Sequence, residues 1–222
     1  MTPRWKPLSS SVGEKFLIAV TGLALFLYLV LHLAGNLVLF LGPEQFNGYA
    51  HALISNPLVI PAEIGLAAVF VLHVWKTVVM WWHNRQARPS QYVQKKWTGY
   101  PSRKSLASTT MIYTGALTAL FVVLHVWNFR FGATGEVGGQ RDLYGLVARF
   151  FQSPLNVVFY EIALVLLGFH LWHGFSSAFE SLGGDEPRYT PRILLAGKVL
   201  AIVIAGGFVI IPLWVFFSGG RS

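Results

Sequence analysis

Histidine is the residue type through which this sequence is best placed to do chemistry. The chain has seven histidines in 222 residues and no cysteine. Disulfides, thiolate nucleophiles and cysteine-ligated zinc or iron–sulfur sites are therefore excluded within it. His32, His73, His125, His170 and His173 lie inside long, nearly uncharged stretches, whereas His51 and His83 lie outside or at the edge of them. An ionisable or metal-ligating side chain in an apolar stretch of membrane length is costly, so each of the five is a functional candidate. Three sit in closely similar contexts, Val30-Leu31-His32, Val71-Leu72-His73 and Val123-Leu124-His125, and the string VLHVW occurs twice. The spacings of 41 and 52 residues between them are unequal and do not define a repeat.

The elements that position these residues follow from composition. With 54% hydrophobic and 12% charged residues and a mean hydropathy of +0.55, the chain is not an ordinary soluble domain. Five apolar runs of 20 or more residues each span a hydrocarbon core of about 30 Å. The reading is an all-α integral membrane protein, a single domain over residues 1–222, with helices I to V at about 16–41, 62–82, 106–129, 155–178 and 193–217. The first run is too long for a signal-peptide core and lacks a small-x-small cleavage site, so it reads as a retained helix. Pro43, Pro57 and Pro61 punctuate the first connection and Pro89 and Pro101 the second, while Pro154, Pro187 and Pro191 flank helices IV and V. The connections read as surface loops, with no room for a flavin or nucleotide domain.

Basic residues near the span ends are unequally divided. Eleven fall on one side, among them Arg85, Arg88, Lys95, Lys96, Arg103 and Lys104, and four on the other, Arg130, Arg141, Arg149 and Arg221. The expectation is a cytoplasmic N-terminus and an external C-terminus. The formal charge of +8 comes mainly from the cytoplasmic face, which suits either anionic lipid or an acidic soluble partner. Lys76 and Lys198 lie inside spans and either snorkel to the interface or neutralise an anionic group.

Rise per residue converts position into depth. His32 and His125 lie about 9 and 4 residues from the external ends of helices I and III, and His73 and His170 about 9 and 8 from the cytoplasmic ends of helices II and IV. Two histidine pairs at two levels result. Helices I–IV as a four-helix bundle would thus hold two bis-histidine b haems, His32 with His125 outside and His73 with His170 inside, these four being the iron ligands. Gly35 and Gly174 are small residues close to ligands that would let a porphyrin approach the backbone. His173 is three residues from His170 and shares part of its face, and His83 beside Trp81 and Trp82 reads as interfacial. Glu63 and Glu161 fall in the external half, where carboxylates could exchange protons, and Glu44, His51 and Trp127 lie near the same level.

Over essentially its whole length the chain resembles the five-helix, di-haem cytochrome b membrane anchor of succinate dehydrogenase and fumarate reductase. The resemblance rests on SSSVGEKFLIAVTG, LVLHLAGNL with FNGYAHAL following, EIGLAAVFVLHVWK, FVVLHVWNF and GFHLWHGFSSAFESLG. It implies His170 and His73 as ligands of the haem nearer the soluble subunits, and His32 and His125 as ligands of the farther one. It implies two haem b and a membrane quinone, menaquinone being expected, bound near Glu63 and Glu161 or, as the rival location, at the cytoplasmic end near Ser9, Ser10, Ser11 and Trp97. Flavoprotein and iron–sulfur partners would dock on the cytoplasmic side of a prokaryotic inner membrane, and no nucleic acid is involved. Some fumarate reductase members carry a glutamate two residues before the helix IV histidine, and here that position is Gly168. Two other readings stay open, the cytochrome b subunit of a membrane hydrogenase or formate dehydrogenase and a haem-free proton-coupled transporter.

Overall fold

The computed structural model describes residues 10–87, 110–184 and 186–219. Its long helices are α1 (Ser11–Leu37), α3 (Val59–Gln86), α4 (Met111–Arg130), α6 (Pro154–Ser181) and α7 (Thr190–Ser218). These five are long and apolar enough to cross a membrane and correspond to the expected spans I to V. The protein is an all-α integral membrane protein. Residues 106–109 of the third expected span lie outside the described residues.

The helix ends follow local chemistry. Ser10 caps α1 by accepting from the Gly13 amide at 3.1 Å. At its far end α1 tightens into a 3₁₀ turn, Val38–Leu41. Gly42 then takes φ +103°, a backbone conformation that suits glycine, and Pro43 opens the next helix with its φ already helical.

Two connections are more ordered than loops. The first contains α2 (Pro43–Ile54). The connection between α4 and α6 contains a short hairpin, β1 (Glu136–Val137) and β2 (Gln140–Arg141), followed by α5 (Leu143–Phe150). These pieces interlock and cap one end of the bundle. Asn47 of α2 donates to Asp142 Oδ1 at 3.0 Å and accepts from the Tyr144 amide at 2.8 Å, while Asp142 caps α5 through the Gly145 amide. Arg141 donates to the carbonyls of Phe129, Arg130 and Gly132, each at 3.0 Å, and so satisfies the C-terminal end of α4. Burial and the nearby Arg130 lower the Arg141 pKa from the usual arginine value.

Within the bundle α1 lies between α3 and α6, α4 lies on the other side of α6, and α7 packs along the outside of α6 and touches α1. The α6–α7 seam is the tightest. Gly197, Ala201 and Ala205 fall at four-residue intervals on α7, and a Cβ at Gly197 would lie 2.9 Å from Ser176 Oγ. Small residues there allow the close approach on which helix association in lipid depends. The buried core follows this seam and the capped end, through Val157, Leu164, Leu167, Ile204, Phe208 and Val215. By contrast α3 has no fully buried residue. An apolar groove of about 420 Å³ separates its Phe70, Val74 and Trp75 from Ala119, Leu120 and Val123 of α4.

Candidate functional site

Two histidines 93 residues apart in sequence, one on α1 and one on α4, meet near the capped end. The His32 and His125 ring centroids are 5.8 Å apart with planes at 88°. Two imidazoles that share one metal ion have ring centroids about 6 Å apart, so His32 and His125 are close enough that they would be the residues to hold one. Tyr28 stacks on His32 at 5.3 Å, and Asn36 donates to the His32 carbonyl at 2.8 Å. His125 is enclosed by Phe121, Phe129 and Tyr160, and its buried Nδ1 has no hydrogen-bond partner among the described residues.

Farther from the cap, His73 of α3 and His170 of α6 lie within electrostatic reach of one another. Each ring is backed by a glycine of a different helix. A Cβ at Gly22 of α1 would lie 3.1 Å from His73 Cε1, and one at Gly115 of α4 would lie 3.2 Å from His170 Cε1. His73 Nδ1 is 3.0 Å from Thr21 Oγ1. His170 Nδ1 is buried with no hydrogen-bond partner among the described residues, and the Met111 carbonyl lies near the ring. Both of these rings thus turn the Cε1–Nδ1 edge toward the glycine behind them, which leaves Nε2 farther from the backing glycine.

This donor set fits haem. Bis-imidazole ligation needs only two protein ligands per iron because the porphyrin supplies the rest. Among the described residues no group of three or more His, Asp or Glu converges to hold an ion by side chains alone.

The chain is similar to a succinate dehydrogenase cytochrome b558 subunit. That protein, from Bacillus subtilis (strain 168), is 26% identical over 180 residues, covering 80% of this chain and 81% of its relative. No protein-family model matches the sequence. No solved structure matches it either.

The remaining candidates are dispersed. Glu63 is held by Arg130 in a two-point ion pair, whereas Glu161 Oε1 is buried without a hydrogen-bond partner among the described residues. Glu44 and His51 lie on exposed positions of α2, so His51 is helical rather than in a loop, and Trp127 is exposed on α4. Lys76 Nζ lies over the ring of its neighbour Trp75, and Lys198 Nζ lies 5.7 Å from the Trp172 centroid. His83 is exposed at the end of α3, 3.7 Å from buried Glu14. His173 is half-buried, as is His170, and lies within electrostatic reach of Glu180. Arg88, Lys95, Lys96, Arg103, Lys104, Arg221, Ser9 and Trp97 lie outside the described residues.

Gly35 and Gly174, read as places where a porphyrin could approach the backbone, each face another side chain. Gly35 instead receives Tyr49 of α2, whose hydroxyl would be 2.5 Å from an added Cβ, and Gly174 meets Met111 Cε at 3.6 Å. A Cβ added at Gly168 would lie 3.1 Å from Ala205 Cβ, so a glutamate there would crowd α7. Gly22 and Gly115 were missed, although a signal for them exists. Thr21-Gly22 precedes His32 at the same spacing at which Thr114-Gly115 precedes His125. The comparison that reveals a repeat is α1 with α4, not α1 with α3.

Proposed function

We propose that this chain is the membrane-anchoring cytochrome b subunit of a succinate:quinone oxidoreductase, with His32 and His125 as ligands of an outer haem b and His73 and His170 as ligands of an inner one. The observation that carries the reading is the convergence of histidines from α1, α3, α4 and α6 at two levels of one bundle. The similarity to the cytochrome b558 subunit supports it. Bound haem would supply one-electron transfer between docked subunits and a membrane quinone, menaquinone in our reading. With no cysteine, the chain holds no iron–sulfur cluster through thiolates, so clusters and flavin belong to partner subunits.

In this reading the N-terminus is cytoplasmic, the capped end is external, and the iron–sulfur subunit docks on the basic face that includes Arg85. Tyr28, Asn36 and the flanking aromatic rings hold the outer imidazoles, and Thr21, Gly22 and Gly115 hold the inner ones. Glu63 and Glu161 exchange protons for a quinone near the outer level.

A pyridine haemochrome assay on purified protein tests the reading, with two haem b per chain expected. His73→Ala or His170→Ala should remove one haem and His32→Ala or His125→Ala the other. One haem or none per chain in the unmodified protein would overturn it. Copurification of flavoprotein and iron–sulfur subunits separates this reading from a hydrogenase or formate dehydrogenase cytochrome.

A further inference from the structure

The two inner histidines are backed by equivalent positions that do different things. Over the twelve residues from Thr21 to His32 and from Thr114 to His125, six positions are identical, namely the threonine, the glycine, Leu27 with Leu120, Val30 with Val123, Leu31 with Leu124, and the histidine. The offset is 93 residues throughout. His73 and His170, each followed two residues later by a tryptophan, are 97 apart. The helical hairpin α1–α3 is therefore echoed by α4–α6, and in each hairpin the glycine of the first helix backs the inner histidine of the second.

The threonine beside each glycine breaks the symmetry. Thr21 Oγ1 lies 2.6 Å from the Leu17 carbonyl oxygen, 3.2 Å from that of Ile18 and 3.0 Å from His73 Nδ1; the Ile18 carbonyl also faces the His73 ring, as the equivalent Met111 carbonyl faces that of His170, so what distinguishes His73 is the added hydroxyl. A hydroxyl has one proton, and a carbonyl can only accept. The short contact to Leu17 takes that proton, so toward His73 the oxygen acts as acceptor. Nδ1 must then carry a hydrogen, and the neutral ring has its lone pair on Nε2. Gly22 lets the ring settle against α1 in that pose. In the second hairpin Thr114 Oγ1 donates within its own helix, to the Met111 carbonyl at 3.1 Å, and gives His170 no hydroxyl acceptor.

We propose that Thr21 is a positioning residue that fixes the Nδ1-protonated form of His73 through its hydroxyl and makes His73 the more strongly donating of the two inner-haem ligands. The inference rests on the reading of His73 as an axial ligand. A hydrogen bond accepted from Nδ1–H raises the basicity of the ligand and favours ferric iron. Loss of that bond raises the midpoint potential of the haem concerned.

Potentiometric titration and low-temperature electron paramagnetic resonance of the purified complex test this. Thr21→Val should shift the inner haem's potential upward and alter its low-spin signal, leave the outer haem unchanged, and be reversed by Thr21→Ser. Thr114→Val should leave both potentials in place. If Thr21→Val does not assemble, Thr21→Ala removes the hydroxyl without a β-branch and is read the same way. Selective loss of the inner haem in the valine or alanine variant, restored by serine, would equally support the hydroxyl's role. An unmoved inner potential, or the same change in the serine and valine variants, would overturn this inference while leaving the two-haem reading intact. Unmodified protein without b-haem absorbance would remove both.

Discussion

Arg130 and Glu63 join the last residue of α4 to the first turns of α3, with Nε to Oε1 at 3.0 Å and Nη2 to Oε2 at 3.2 Å. The helices they connect otherwise touch little, because the groove between them widens toward the middle of the bundle. The pair is a clasp at the capped end. Its side chains are 41% and 47% exposed, so its contribution to stability is at most about 1 kcal/mol. Thermal unfolding of Arg130→Gln in detergent should accordingly fall by only a few degrees.

The same geometry separates the roles of the two glutamates. Glu63 is neutralised by a guanidinium, whereas Glu161 presents a buried oxygen with no partner among the described residues. Combined Glu63→Gln and Glu161→Gln should slow quinone turnover while both haem spectra and succinate oxidation with a soluble dye persist. Of the single variants, Glu161→Gln should have the larger effect. Unchanged quinone kinetics in the double variant would place the quinone at the opposite end, near Ser10 and Ser11.

Tyr49 anchors α2 by lying where a side chain at Gly35 would otherwise project. Gly35→Ala should destabilise the protein by about 1–3 kcal/mol through overpacking and loosen α2. Truncating Tyr49 removes the obstacle. Limited proteolysis should cut α2 faster in Gly35→Ala, and adding Tyr49→Ala should relieve most of the packing conflict. Equal stability of Gly35→Ala and the unmodified protein would show that the tyrosine is not a fixed anchor.

What was legible in the sequence tracks the length scale of the signal. The five spans read clearly because uncharged runs of membrane length have few other uses, and the depths of His32, His73, His125 and His170 follow from rise per residue. The helix α2 was not legible, since twelve residues opening on Pro43 form a stable helix only once Phe46 and Ala50 are buried beneath it. Gly35 and Gly174 drew attention because they follow histidines on the same helix. A ring is backed by whatever lies across the interface, and partners such as Gly22 for His73 come from another helix. The Thr21 hydroxyl was hidden for the same reason.

Gly22 and Gly115 give a test of the inner site that leaves the histidines untouched. An added Cβ would come within 3.1 or 3.2 Å of an imidazole carbon, closer than ordinary van der Waals contact. Gly22→Ala and Gly115→Ala should each tilt one inner ring by a few tenths of an ångström, and Gly115→Leu should displace His170 altogether. Difference spectra should show the inner haem altered in the alanine variants and lost in the leucine variant, with the outer haem retained. Retention of both haems in Gly115→Leu would mean that His170 does not need that surface.

The choice between His170 and His173 on α6 can be made by the same spectra. Three residues along a helix advance the position by about 4.5 Å and turn it by about 300°, so both side chains cannot present the same atom to one partner. His170 is the one backed by Gly115 and in electrostatic reach of His73. His173 lies nearer the α6 end that carries Glu180. His170→Ala should therefore abolish the inner haem, while His173→Ala should keep both haems and change at most the inner potential. The reverse outcome, loss in His173→Ala with retention in His170→Ala, would reassign the ligand and with it the backing role of Gly115.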